Sequence, residues 1–193
     1  MHILLGLGNP GPKYDLTRHN IGFALVDRLI DGTLQSSANG VWKSESKSLT
    51  RKISLGGITL LVVKPQTFMN LSGEAAQALL SFYKVSPKNL IVVVDDIYLE
   101  LGAVRIRTQG SHGGHNGLRS LMEHCGDEFT RIRIGVGPLP EHYDKADFVL
   151  QKYGSHEIKT LETVLTKSKE LIETGLTLGW ERAGSLFNRR TPE

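Results

Sequence analysis

His2-Ile3-Leu4-Leu5-Gly6-Leu7-Gly8-Asn9-Pro10-Gly11 opens the chain. Its first part, His2 to Leu7, reads as a short buried strand, because a compact apolar run is bounded there by turn residues. Asn9-Pro10-Gly11-Pro12 stops it. The same letters spell Gly-x-Gly-x-x-Gly, the fingerprint of a strand–helix turn that holds a dinucleotide. The surrounding residues reject that reading. Those glycines should open a helix whose N-terminus holds the pyrophosphate, yet Pro10 and Pro12 interrupt the segment. The next helical period begins only near Asn20, and Asp27 and Asp31 fall in or just after that helix. A tight turn that aims Asn9 into a cleft accounts for the stretch better.

Asn20 to Ile30 reads as a helix capped by Asn20, with Ile21, Ala24, Leu25 and Leu29 on one face. Two strands follow around Lys43–Leu55 and Ile58–Lys64, with Gly56-Gly57 as their turn. A helix starting at Asn70 or Ser72 runs through Ala75, Leu79, Leu80 and Tyr83. Leu90–Val94 is the next strand and delivers Asp95 and Asp96 at its end. Ala103–Arg107 and Arg131–Val136 read as further strands, separated by a Gly/His loop and a short helix, Gly117–His124. After the proline-containing Gly137–Asp147 stretch, one long helix, about Glu157–Gly179, closes the chain. Strands mixed with helices and at least one hairpin predict an α/β domain with a mixed central sheet. In open α/β sheets the site forms at the carboxyl ends of strands. Asn9, Asn70 and Asp95 all follow or end strands in this reading.

The chain has 193 residues, which predicts a single domain over 1–193. Hydrophobic residues make up 39% and charged residues 22%, enough for a core and too apolar for a disordered chain. One cysteine, Cys125, cannot form an internal disulfide, so a reducing, cytoplasmic setting is expected. The N-terminal apolar run is too short for a signal peptide and lacks a basic lead-in, and Leu90–Val94 is too short for a membrane span. The net charge of +3 and sequence pI of about 9.0 permit an anionic partner. A monomer is expected.

Five constellations carry the chemistry. Thr17-Arg18-His19-Asn20 puts a histidine at a helix boundary, where it can act as a general base or simply cap and pack. Asp95-Asp96 can orient an imidazole and stabilise its charged form, or be a solvated turn. Ser111-His112-Gly113-Gly114-His115-Asn116-Gly117-Leu118 lets a backbone approach a ligand closely and presents an amide. His112, His115 and Asp95 also raise a metal reading, but the spacing matches no His-Glu-x-x-His motif and no cysteine set supports it. Arg105 and Arg107 flank Ile106, and Arg131 and Arg133 flank Ile132; if these strands are neighbours, four arginines form one phosphate-binding surface. In Gln66-Thr67-Phe68-Met69-Asn70, Phe68 reads mainly as core packing and Asn70 as a directional polar group. No Gly-x-Ser-x-Gly elbow is present, and Cys125 reads as structural, so water is the expected attacking group of any hydrolase here.

Taken together, these residues resemble bacterial peptidyl-tRNA hydrolases. Tyr14-x-x-Thr17-Arg18-His19-Asn20-x-Gly22-x-x-Leu25-Val26-Asp27 is similar to one signature of that family, and Ser111-x-x-x-His115-Asn116-Gly117-Leu118-Arg119-Ser120 to the other. Gly6–Gly11, Lys64-Pro65-x-Thr67-Phe68-Met69-Asn70-x-Ser72-Gly73 and Arg133-Ile134-Gly135-x-Gly137 also fit, in order, as far as Asp147-Phe148-Val149-Leu150. The resemblance implies a single three-layer α/β/α domain that hydrolyses the ester between peptide and tRNA without metal or cofactor. It implies His19 as the general base and Asp95 as its orienting carboxylate. Asn9, Asn70 and Asn116 would position peptide, ester and water, while Tyr14, Met69 and His115 would belong to the substrate cleft. Arg107 and Arg133 would clamp a tRNA phosphate, although lysine is familiar at the Arg107 position. The resemblance assigns Asp96 no role. The alternative is an inactive tRNA- or RNA-binding accessory protein of the same fold.

Overall fold

The computed structural model describes residues 1–31 and 42–188. Seven strands form one sheet: β1 (His2–Gly6), β2 (Lys43–Glu45), β3 (Ser48–Leu55), β4 (Ile58–Pro65), β5 (Leu90–Glu100), β6 (Val104–Arg107) and β7 (Thr130–Gly137). Their order is β2-β3-β4-β1-β5-β7-β6. The inner pairs β4–β1, β1–β5 and β5–β7 are parallel, and the outer pairs are antiparallel. The expected mixed sheet is therefore present. Central parallel strands are covered on both faces, which is why β1 and β5 read as unbroken apolar runs.

The helices are α1 (Ile21–Asp31), α2 (Ser72–Tyr83), α3 (Asn116–Cys125), α4 (Lys145–Val149), α5 (Ser155–Leu178) and α6 (Trp180–Phe187). Alternate residues of β1 face opposite cores, as the period of a strand requires. Leu4 packs with Leu25 of α1 and Ile172 of α5, whereas Ile3 and Leu5 pack with Leu79 of α2 and Leu121 of α3. The result is the expected three-layer α/β/α arrangement. Among the described residues, no helix is long and apolar enough to cross a membrane.

Three elements differ from the sequence reading. Lys43–Leu55 is two strands, because Ser46 and Lys47 take positive φ (47° and 56°) and turn the chain back on itself. β5 continues to Glu100; its regular pairing with β7 ends at Asp96 opposite Gly135, and the register then shifts. The final helix is two helices. Gly179, at φ 89°, breaks it, and the Trp180 ring then lies where a Cβ on Gly175 would be. Beyond α6, Asn188 Oδ1 accepts from the Ile106 N–H (2.5 Å) and its Nδ2 donates to the Ile106 carbonyl (3.4 Å). One side chain thus pairs both backbone groups of Ile106 on the outer edge of β6.

The start of α1 touches the sheet backbone to backbone. A Cβ on Gly22 would lie 2.5 Å from both Leu7 N and Leu7 O and 2.7 Å from Val93 O. Nothing there is a flexible side chain that could yield. This approach delivers the residues just before α1 to the carboxyl ends of β1 and β5. Gly22→Ala is expected to destabilise the protein by about 3 kcal/mol, measured as a fall in the urea midpoint at unchanged m-value; a midpoint equal to wild type would show that the helix can shift freely.

Candidate active site

A cleft of about 430 Å³ opens at the carboxyl ends of the central strands and is lined by His19, Asp95, His115 and the three asparagines of the sequence reading, Asn9, Asn70 and Asn116. His19 sits in a 3-10 turn, Arg18–Asn20, that leads into α1. Its Nδ1 is 3.0 Å from both carboxylate oxygens of Asp95. His115 stands at the N-cap of α3. Its Nδ1 accepts from the N–H groups of Gly117 (3.1 Å) and Leu118 (3.3 Å), so its proton is on Nε2, which lies 2.8 Å from Asp95 Oδ1. Asp95 is ionised and can only accept, so His19 donates through Nδ1–H. That leaves a lone pair on His19 Nε2, the nitrogen a general base needs. The two rings are 4.9 Å apart and tilted by 49°.

Burial is the largest single influence on His19 and works against its charged form, but the charge and hydrogen bond of Asp95 together outweigh it and raise the His19 pKa. Burial alone would raise the Asp95 pKa; the attraction of the His19 and His115 imidazoles and their hydrogen bonds instead hold it well below the usual carboxylate range. Candidate ligand atoms of His19, Asp95 and His115 lie within 4.8 Å of one another. The donor chemistry fits a metal poorly. His115 Nδ1 is committed to backbone N–H groups, so a metal at Nε2 would require an imidazolate or the loss of the cap. The His112 of the metal reading lies outside this group, its Nδ1 accepting from the Gly114 N–H. Burial pushes the Cys125 thiol up to about 11, consistent with a structural residue.

Asn9 is held from three directions. Its Oδ1 accepts from the Met69 N–H (2.8 Å), while its backbone N–H donates to Asn20 Oδ1 (2.8 Å) and its carbonyl accepts from Asn20 Nδ2 (3.0 Å). The Asn9 Nδ2 is therefore the donor it offers to the cleft. Asn20 does not cap α1 as expected; it locks the Asn9 turn. Asn70 and Asn116 are exposed in the cleft lining. Met69 belongs to the α2/α3-side core and also lines the cleft. Phe68, read from sequence as core, is 53% exposed and meets Tyr14 edge-on with ring centroids 6.5 Å apart. The chain's turn after Pro65 points Met69 inwards, so Phe68 becomes cleft wall.

The arginine strands are neighbours, with Arg105 opposite Arg133 and Arg107 opposite Arg131. The expected surface of four does not form. Arg131 is buried, its guanidinium 4.1 Å from the Phe129 ring centre and donating to the carbonyls of Phe129 and Asp127. Arg105 and Arg107 are exposed on the edge strand, and Arg133 lines the cleft. Two supporting residues escaped the sequence reading. Arg18 is buried between Phe148 (4.6 Å) and Tyr153 (5.0 Å) and pairs with Glu157 (2.9 Å), tying the His19 turn to α4 and α5. Asp96 is buried and pairs with Arg133. Adjacency to His19 and Asp95 was the available signal for both.

Comparison with known proteins gives a consistent answer. The family model for peptidyl-tRNA hydrolase matches residues 3–193. A peptidyl-tRNA hydrolase of Lachnoclostridium phytofermentans is 44% identical over 191 residues, 98% of each chain. That of Thermotoga petrophila is 43% identical over 187 residues, 96% of each chain. The crystal structure of peptidyl-tRNA hydrolase from Acinetobacter baumannii superposes with a TM-score of 0.90 at 29% identity, covering all of this chain and 97% of that one. The chain belongs to the peptidyl-tRNA hydrolase family.

Proposed function

We propose that this protein hydrolyses the ester that joins a peptide to the terminal ribose of tRNA, with His19 as general base and no metal. The observation that carries the mechanism is the pairing of His19 Nδ1 with the buried Asp95 carboxylate, which favours the tautomer with a free lone pair on Nε2. Nε2 takes a proton from water as the water attacks the ester carbonyl. The imidazolium formed is stabilised by Asp95, whose own partner His115 keeps it from turning away. Amides of Asn9, Asn70 and Asn116 orient the peptide, the ester and the water and meet the developing oxyanion. Tyr14, Phe68 and Met69 supply the apolar wall. Arg107 and Arg133 hold tRNA phosphate. The bond from the carbonyl carbon to the ribose oxygen then breaks, the His19 imidazolium returns its proton to that oxygen, and peptide acid and free tRNA leave with no covalent enzyme intermediate. The proteins it resembles carry the hydrolase name, and the reading as an inactive RNA-binding accessory finds no support. One free cysteine fits work in the reducing cytoplasm, and the cleft is assembled within one chain, as a monomer requires.

Cleavage of an N-blocked aminoacyl-tRNA in EDTA tests this directly. Wild type is expected to cleave, and His19→Ala to lose roughly 10²–10⁴-fold in kcat with tRNA affinity retained; wild-type activity abolished by the chelator would reject the metal-free mechanism. The base works only when neutral, so the rate rises with pH through the raised His19 pKa. In Asp95→Asn the raising influences vanish and burial remains, so the acid limb moves to lower pH while the plateau falls by up to about 10⁴-fold. An acid limb that stays in place would remove Asp95 from the mechanism. Arg107→Ala with Arg133→Ala should flatten the salt dependence of tRNA binding by about one unit of slope for each phosphate no longer neutralised; an unchanged slope would reject the clamp.

A further inference from the structure

β5 carries a second buried carboxylate beside Asp95. Asp96 has its side chain 2% exposed and uses both oxygens: Oδ1 accepts from the Tyr98 N–H (2.9 Å), where the strand leaves its register, and Oδ2 lies 2.9 Å from Arg133 Nε. Val94 pairs with Arg133 and Asp96 with Gly135, so the bridge runs diagonally between neighbouring strands. Such a pair is weak evidence for stability, because well-packed apolar residues of similar volume often do as well. What it provides is direction.

A guanidinium carries five N–H donors in a rigid planar fork. The Asp96 contact is at the Nε corner of that fork, which leaves the Nη1 and Nη2 donors for another partner, and Arg133 lines the cleft with its side chain 29% exposed. Nη2 lies beside the Gly113–Gly114 loop, 3.8 Å from where a Cβ on Gly113 would sit. Among the described residues, no protein oxygen accepts from that Nη edge.

We infer that Asp96 is a positioning residue for substrate: it ties Arg133 through Nε so that the Nη edge meets an RNA phosphate bidentately. This rests on the phosphate-binding role proposed for Arg133. Asp96 offsets part of the charge that Arg133 brings to the cleft, so the direction of its N–H donors matters as well as its positive charge. A lysine at position 133 cannot substitute. Its ammonium, drawn onto the Asp96 carboxylate, has no parallel pair of donors left to offer a phosphate.

The test is KM and kcat for an N-blocked aminoacyl-tRNA, at several salt concentrations, across a small set of variants. Arg133→Ala is expected to raise KM about tenfold, with kcat changing far less. Arg133→Lys should lose as much as Arg133→Ala. Asp96→Ala should raise KM about fivefold and add nothing on top of Arg133→Ala. Asp96→Asn keeps an acceptor for Nε and should recover part of that loss. A near-wild-type KM for Arg133→Lys would overturn the inference, even if Asp96→Ala fails to fold. So would an Asp96→Ala effect that adds in full to Arg133→Ala; in both cases the phosphate contact itself would stand. If Arg133→Ala changes neither KM nor salt slope, the phosphate-binding role of Arg133 falls and the positioning role with it.

Discussion

Asp95 is a negative charge held almost entirely out of water, with its side chain 1% exposed. Burying an unpaired carboxylate is costly enough that the group would rather take up a proton. Here two imidazole N–H groups, from opposite sides of the sheet, make the charged form the favoured one. The three partners come from three elements: β5, the turn before α1, and the N-terminus of α3. Each must arrive within hydrogen-bond distance, so the cleft depends on how closely those elements can approach.

Glycines set those distances. At Gly22 the α1 backbone rests on β1 and β5, which brings His19 over Asp95. A Cβ on Gly73 would lie 2.1 Å from the Ser120 carbonyl, and one on Gly117 would lie 2.6 Å from Met69 Sδ. α2 and α3 therefore pack tightly enough for His115 to reach the same carboxylate. Ser120 also accepts from the Gly73 N–H (3.0 Å), so the two helices are bonded as well as close. Packing on both faces of the sheet converges on one buried carboxylate.

Much of this was legible in advance. The apolar runs of β1 and β5, the Gly56-Gly57 hairpin and the helices α1, α2 and α3 follow from local patterns. His19, Asp95, His115 and the three asparagines do line one cleft. What local pattern could not supply was orientation. Phe68 and Met69 are neighbours of similar character, and only the fold decides which one is buried. Arg131 and Arg133 share a face of β7, yet one lies buried against Phe129 while the other opens to the cleft. Ser46 and Lys47 turn with positive φ although neither is glycine, so the β2–β3 turn left no compositional mark. The role of Asn20 needed the position of Asn9, eleven residues away and joined to it only by the folded turn.

The side chain of Asn188 has a consequence beyond the cleft. β6 is the outermost strand on its side of the sheet, and an outer strand with open N–H and C=O groups is a template on which separate molecules can stack. Asn188 occupies both groups of Ile106 at the middle of that short strand. The residue that follows α6 thus works as a molecular end-stop. It blocks the edge at the centre of the strand that also displays Arg105 and Arg107, so strand pairing with other copies of the protein is hindered there.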